Sequence, residues 1–188
     1  HGVDFMHREA LESLPELLRS LGIERPILIG HSDGASIALI YAGSAYPVRA
    51  LVAMAPHVFV EDISIEGIAA AKLAFETTDL PQKLARHHRD PSKMFYGWSD
   101  VWLAPESRGW NIESFLPTIK CPLLAIQGHE DAYGSMAQVD AIARQTGGPV
   151  KVLKLEHCGH SPQQDQPEIV AGAIAEFVER CSGRGAAA

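Results

Sequence analysis

The chain has 188 residues, 46% of them hydrophobic and 21% charged, which suits one domain with a sizeable core and excludes disordered, collagen-like and coiled-coil classes. With 16 Lys and Arg against 23 Asp and Glu, the net charge is −7, and without a basic stripe a nucleic-acid partner is excluded. No apolar run approaches the roughly 18 residues of a membrane span, so no membrane partner is expected.

The first residues, HGVDFMHREA, lack the apolar core of a signal peptide. Leu11, Leu14, Leu18 and Leu21 then recur at three- and four-residue steps, which predicts an amphipathic helix over 6–21 with those leucines on the core and Gly22 ending it. Residues 26–29 (PILI) form a short apolar run that fits a strand buried on both faces. A helix over 34–46 follows, small and apolar on most sides, and a second buried strand over 49–55. Residues 61–116 carry more charge, short helical patterns and all three tryptophans, and they predict a helical insertion. The strand pattern resumes at 122–126. A helix is expected over 135–145, an edge-like alternating strand over 150–155, and a last helix from Pro167 to Cys181 with Ile169, Val170, Ala173, Ile174, Phe177 and Val178 as its core stripe. This alternation predicts an α/β fold with a mostly parallel sheet covered by helices.

Gly30-His31-Ser32-Asp33-Gly34 lies between a buried strand and a buried helix, which is the context of a G-x-S-x-G nucleophile elbow rather than of a plain Gly/Ser turn. Side chains at either flanking position are expected to clash, so Gly30 and Gly34 both read as required. Ser32 is then the candidate nucleophile, and the backbone N–H of Asp33, at the start of the next helix, is an oxyanion donor. The acid and base should follow in that order. Asp131, in the loop after the strand at 122–127, is the candidate acid, with Glu130 its rival. His160, between the last strand and the last helix, is the candidate general base, with His157 its rival. His87-His88 and His157-Cys158-Gly159-His160 have no further ligands at diagnostic spacing, so no metal is expected. The three cysteines fit no disulfide framework, and reduced thiols in a cytoplasm are the expectation.

The motifs at 30–34, 128–131 (GHED) and 159–162 (GHSP), with DQPE at 165–168, resemble the alpha/beta-hydrolase superfamily over essentially the whole chain. The chain looks most like its capped branch of meta-cleavage hydrolases and esterases. Ser at 32, in place of Asp, sets it apart from the haloalkane dehalogenases and epoxide hydrolases of that branch. The resemblance implies a core of 1–56 and 117–181 and a helical cap over 57–116, while residues 182–188 read as a flexible tail. It also implies a pocket lined by His31, Phe59, Trp98 and Trp102. It further implies a cofactor-free serine hydrolase acting on a small-molecule carboxylic ester or related acyl substrate. A carbon–carbon hydrolase of the meta-cleavage type, or an incomplete fragment that needs a partner chain, are the alternatives.

The family's core has about eight strands, and only four can be counted here. The N-terminal part of that fold is therefore expected to be missing, together with the second oxyanion donor. His1-Gly2 does not replace that donor, since no strand precedes it. The strand at 26–29 would then have an open apolar edge, expected to pair with a second copy of the chain or with an N-terminal segment.

Overall fold

A computed structural model describes residues 2–183. His1 and residues 184–188, and with them most of the expected tail, lie outside the described residues. Four parallel strands stand side by side in chain order: β1 (Ile27–His31), β2 (Ala50–Met54), β3 (Leu123–Gly128) and β4 (Val150–Leu155). Gly30 pairs with Ala53, Ala53 with Ala125 and Ala125 with Val152, so the carboxyl ends of all four strands lie along one border of the sheet.

Side chains alternate across the sheet and fill two cores. Leu51, Leu123 and Ala125 face α3 (Asp33–Gly43) and α7 (Met136–Gln145), whose Leu39, Ile40, Val139 and Ile142 are fully buried. Ala50, Val52, Leu124 and Ile126 face the last helix, α9 (Pro167–Cys181), which follows the short α8 (Pro162–Asp165), through its Val170 and Phe177. Burial on both faces holds for β2 and β3. It fails for β1, which is an edge strand, and there Ile29 is 52% exposed. β4 is the opposite edge, as its alternation predicts. In α9 the expected stripe is only partly internal. Val170 and Phe177 are buried and Ile174 packs against them, whereas Ile169 is exposed.

The first helix runs as α1 (Phe5–Arg8), a π turn (Glu9–Ser13) and α2 (Leu14–Ser20). The π turn is wider than an α turn and sets the inward row at residues four apart, which keeps two of the four expected leucines inward. Met6, Ala10, Leu14 and Leu18 face the core, while Leu11 and Leu21 are exposed. The helix ends as expected at Gly22, with φ 66°. The Gly22 N–H donates to the Arg19 carbonyl and that of Ile23 to the Leu18 carbonyl, the paired closure of a Schellman motif.

Between β2 and β3 lie α4 (Asp62–Thr77), α5 (Leu80–Leu84), α6 (Pro91–Leu103) and two 3₁₀ turns, Pro105–Gly109 and Glu113–Thr118. An antiparallel bridge between Phe59 and Asn111 closes the neck of this insertion. Glu61 caps α4 in a capping box with Ser64 and also accepts from Ser135 N–H (2.9 Å), Ser135 Oγ (2.6 Å) and Gln138 Nε2 (2.7 Å). Gln138 in turn accepts from Val58 N–H at 2.8 Å and donates to the Phe59 carbonyl at 3.1 Å, so one buried amide ties the insertion to α7.

Candidate active site

Each of the four strands is followed, at its carboxyl end, by one residue of a single cluster. These are Ser32 after β1, His57 after β2, Asp131 after β3 and His160 after β4. Loops at the carboxyl ends of parallel strands are where an open α/β sheet places its ligands.

Ser32 sits in the sharp turn between β1 and α3 with φ 55° and ψ −126°, a conformation that costs an L-residue roughly 1–3 kcal/mol. The turn is tight because α3 begins at once. A Cβ on Gly30 would meet the Gly34 carbonyl oxygen at 2.4 Å. The expectation of a matching clash at Gly34 is not met. A Cβ there finds open space and its φ is not positive, so Gly30 alone carries the steric demand.

The His160 Nε2 lies 2.9 Å from Ser32 Oγ, and Nδ1 lies 2.9 Å from both carboxylate oxygens of Asp131. A carboxylate can only accept, so the hydrogen sits on Nδ1 and Nε2 turns a lone pair to the serine hydroxyl. His31 Nε2 donates to the His160 carbonyl at 2.6 Å and pins the loop that carries the imidazole. The Asp131 side chain is 1% exposed. Burial would raise its carboxyl, but the His160 hydrogen bond and charge, the Tyr133 N–H (2.8 Å) and the Gln127 amide (2.7 Å) together hold it below the usual carboxylate range. The rivals from the sequence, Glu130 and His157, face each other on the surface at 3.3 Å.

A cleft of about 340 Å³ opens over Ser32. It is lined by the polar His31, Asp33, His57 and His160 together with Ile68, Trp98, Trp102 and Tyr133. Phe59, expected in the pocket, does not line it and lies at the neck of the insertion. Burial pushes the Asp33 carboxyl up to about 6, against the lowering influence of the Trp102 indole and the His160 charge.

His57 and Ser36 escaped the sequence reading. Ser36 Oγ donates to the His57 carbonyl (2.7 Å) and accepts from its N–H (3.0 Å), so the first turn of α3 fixes the segment after β2. The His57 Nε2 donates to the Tyr133 carbonyl at 2.9 Å. Burial holds the imidazole below its ordinary pKa, hence neutral at pH 7. The available signal was position alone, a histidine three residues past an apolar strand, with no motif around it. Among the described residues no group of three or more His, Cys, Asp or Glu is placed to hold a metal, and His87 and His88 are exposed. No helix among them is long and apolar enough to cross a membrane.

A parallel sheet with a serine in a strained elbow, faced by a histidine and a buried aspartate from later strand ends, defines the nucleophile-elbow class of α/β proteins. The chain belongs to the alpha/beta hydrolase family, whose family model matches residues 1–173. None of the curated proteins compared matches the sequence. Solved structures match its fold. A thermophilic esterase from Thermogutta terrifontis, malate bound, superposes with a TM-score of 0.68 at 20% identity, over 94% of this chain and 72% of its own. A serine hydrolase involved in carbazole degradation, CarC, gives a TM-score of 0.70 at 18% identity, over 93% and 71%. MGS-M2, an alpha/beta hydrolase from a Medee basin deep-sea metagenome library, gives 0.69 at 22% identity, over 89% and 70%. At these identities the likeness is one of fold.

Proposed function

We propose that the chain is a cofactor-free serine hydrolase acting on a carboxylic ester or related small acyl substrate. The observation that carries this reading is the His160 imidazole in hydrogen-bond contact with Ser32 on one side and Asp131 on the other. Ser32 Oγ attacks the carbonyl carbon as its proton passes to Nε2, and Asp131 stabilises the imidazolium without taking a proton. The carbonyl oxygen becomes an oxyanion at the start of α3, where the Asp33 N–H is free of any intrahelical acceptor. His160 then protonates the departing alcohol, leaving an acyl-enzyme. Water, deprotonated by His160, releases the acid and restores Ser32.

In the same reading the helices of 57–116 act as a cap, with Trp98 and Trp102 as the roof of the cleft; their place in its wall supports this. The three free thiols favour a reducing compartment, which suits a cytoplasmic enzyme.

A fluorophosphonate probe should form one adduct, at Ser32, located by mass spectrometry. Ser32→Ala should lose the adduct and lower kcat on p-nitrophenyl esters by roughly six orders of magnitude. Turnover retained in Ser32→Ala overturns the reading. Faster turnover of a dienoic ring-fission product than of any ester would instead assign carbon–carbon hydrolysis.

A further inference from the structure

Three polar groups in the wall of the cleft have no part in the proposed chemistry. His57 is 4% exposed, and its Nε2 hydrogen is committed to the Tyr133 carbonyl. Its Nδ1 is therefore a lone-pair acceptor, buried and without a partner. Trp102 is 3% exposed, and its indole N–H also lacks a formed hydrogen bond. The two rings lie 5.1 Å apart, side by side in the wall. The Asp33 carboxyl completes the group. The Trp102 N–H is close enough to stabilise its charge without making a well-formed bond.

An unpaired buried donor or acceptor costs about 1–3 kcal/mol, so most such groups in folded proteins find a partner. Two of them in one wall, beside a nucleophile and next to a carboxylate, are accounted for together if a substrate group completes them. A site built in this way also discriminates strongly, because an analogue without the group leaves the polar atoms unpaired.

We propose that Asp33, His57 and Trp102 form a specificity subsite for substrates that carry a hydroxyl or amino group near the scissile carbonyl. A hydroxyl oxygen accepts from the Trp102 N–H, and its hydrogen is given to the Asp33 carboxylate or His57 Nδ1. An ammonium group donates to both acceptors. Two acceptors against one donor, one of them anionic, make the wall hostile to a carboxylate. The subsite thus deepens the ester-hydrolase reading, on which it rests, and weighs against an anionic dienoate as the natural substrate.

The test uses four p-nitrophenyl esters of similar size: the butyrate, the β-hydroxybutyrate, the β-aminobutyrate and the hemisuccinate. The hydroxy and amino esters should exceed the butyrate in kcat/KM by roughly tenfold, as a hydrogen bond to a charged group implies, and the hemisuccinate should fall below it. Trp102→Phe should collapse the hydroxybutyrate-to-butyrate ratio. Asp33→Asn should collapse the aminobutyrate ratio and raise the hemisuccinate relative to the butyrate. Ratios within one variant cancel any general loss of folded enzyme, and a gain on the hemisuccinate cannot come from misfolding. Equal kcat/KM for all four esters, with Ser32 still labelled by the fluorophosphonate, overturns the subsite and leaves the hydrolase reading intact. If no ester is turned over and Ser32 is unlabelled, the hydrolase reading fails by itself. Calorimetric titration of the wild-type chain with β-aminobutyramide and butyramide then decides the subsite: preference for the amine supports it, and equal binding overturns it.

Discussion

Asp33, whose backbone N–H is the oxyanion donor of the proposed mechanism, carries a carboxyl that pays for its position. Burial raises that carboxyl from 3.8 to about 6 in the folded chain. The folded state therefore holds more protons than the unfolded state between those values. The stability contributed by the protonated group is complete below the lower value and is lost as pH rises through the upper one. A shift of this size corresponds to about 3 kcal/mol at most, and solvent in the cleft reduces it to about 1 kcal/mol. Asp33→Asn should accordingly be more stable than the parent by about 1 kcal/mol at pH 8 and equal to it at pH 4, measured by urea unfolding. A parent as stable as the variant at pH 8 would contradict the assignment. At this scale the sequence was most legible where a motif surrounds the residue. Ser32, Asp131 and His160 stand out because strand, turn and order coincide. His57 and Ser36 do not, because their pairing bridges two elements and leaves no pattern in either.

The insertion is held to the sheet layer by a few buried polar bonds as well as by apolar packing. Gln138, fully buried on α7, bonds Val58, Phe59 and the Glu61 carboxylate, and Glu61 in turn caps α4. Gln138→Leu keeps the volume but strands the Val58 N–H and the Phe59 carbonyl and takes one of its donors from Glu61. A loss of about 3 kcal/mol is expected from denaturant unfolding. A rise in KM should exceed any fall in kcat, because the roof residues move while Ser32, His160 and Asp131 stay in place. No change in stability would show that the insertion is held by apolar contacts alone. Element types and limits were legible here because apolar runs and periodicities are long. The inward face of the first helix was legible only in part. With the π turn at Glu9–Ser13, Leu14 and Leu18 stay inward while Met6 and Ala10 join them in place of Leu11 and Leu21, and nothing in composition signals a local change of pitch.

The whole sheet has two unlike borders. β4 carries two lysines, Lys151 and Lys154, a common protection of an edge, whereas β1 offers an apolar strand with Ile29 half exposed. We propose that a further strand seals β1, and that in the 188-residue chain studied alone a second copy supplies it. Light scattering should then report a dimer, and Ile29→Lys should shift it to a monomer. A monomeric parent chain would contradict this. The parallel order of the strands was legible from apolar runs alternating with helices. The open edge of β1 was legible too, but only from the count of four strands; its apolar run alone read as buried on both faces, because burial of a strand depends on what lies beside it and not on its own residues.

Ser32 and His160 meet across 128 positions of sequence. A chain emerging from a ribosome therefore displays its serine long before the imidazole that would activate it has been polymerised. Contacts of such separation are also among the slowest to close, since loop entropy is lost before they form. In the proposed mechanism Ser32 therefore stays an ordinary hydroxyl until the last strand docks and brings His160 beside it.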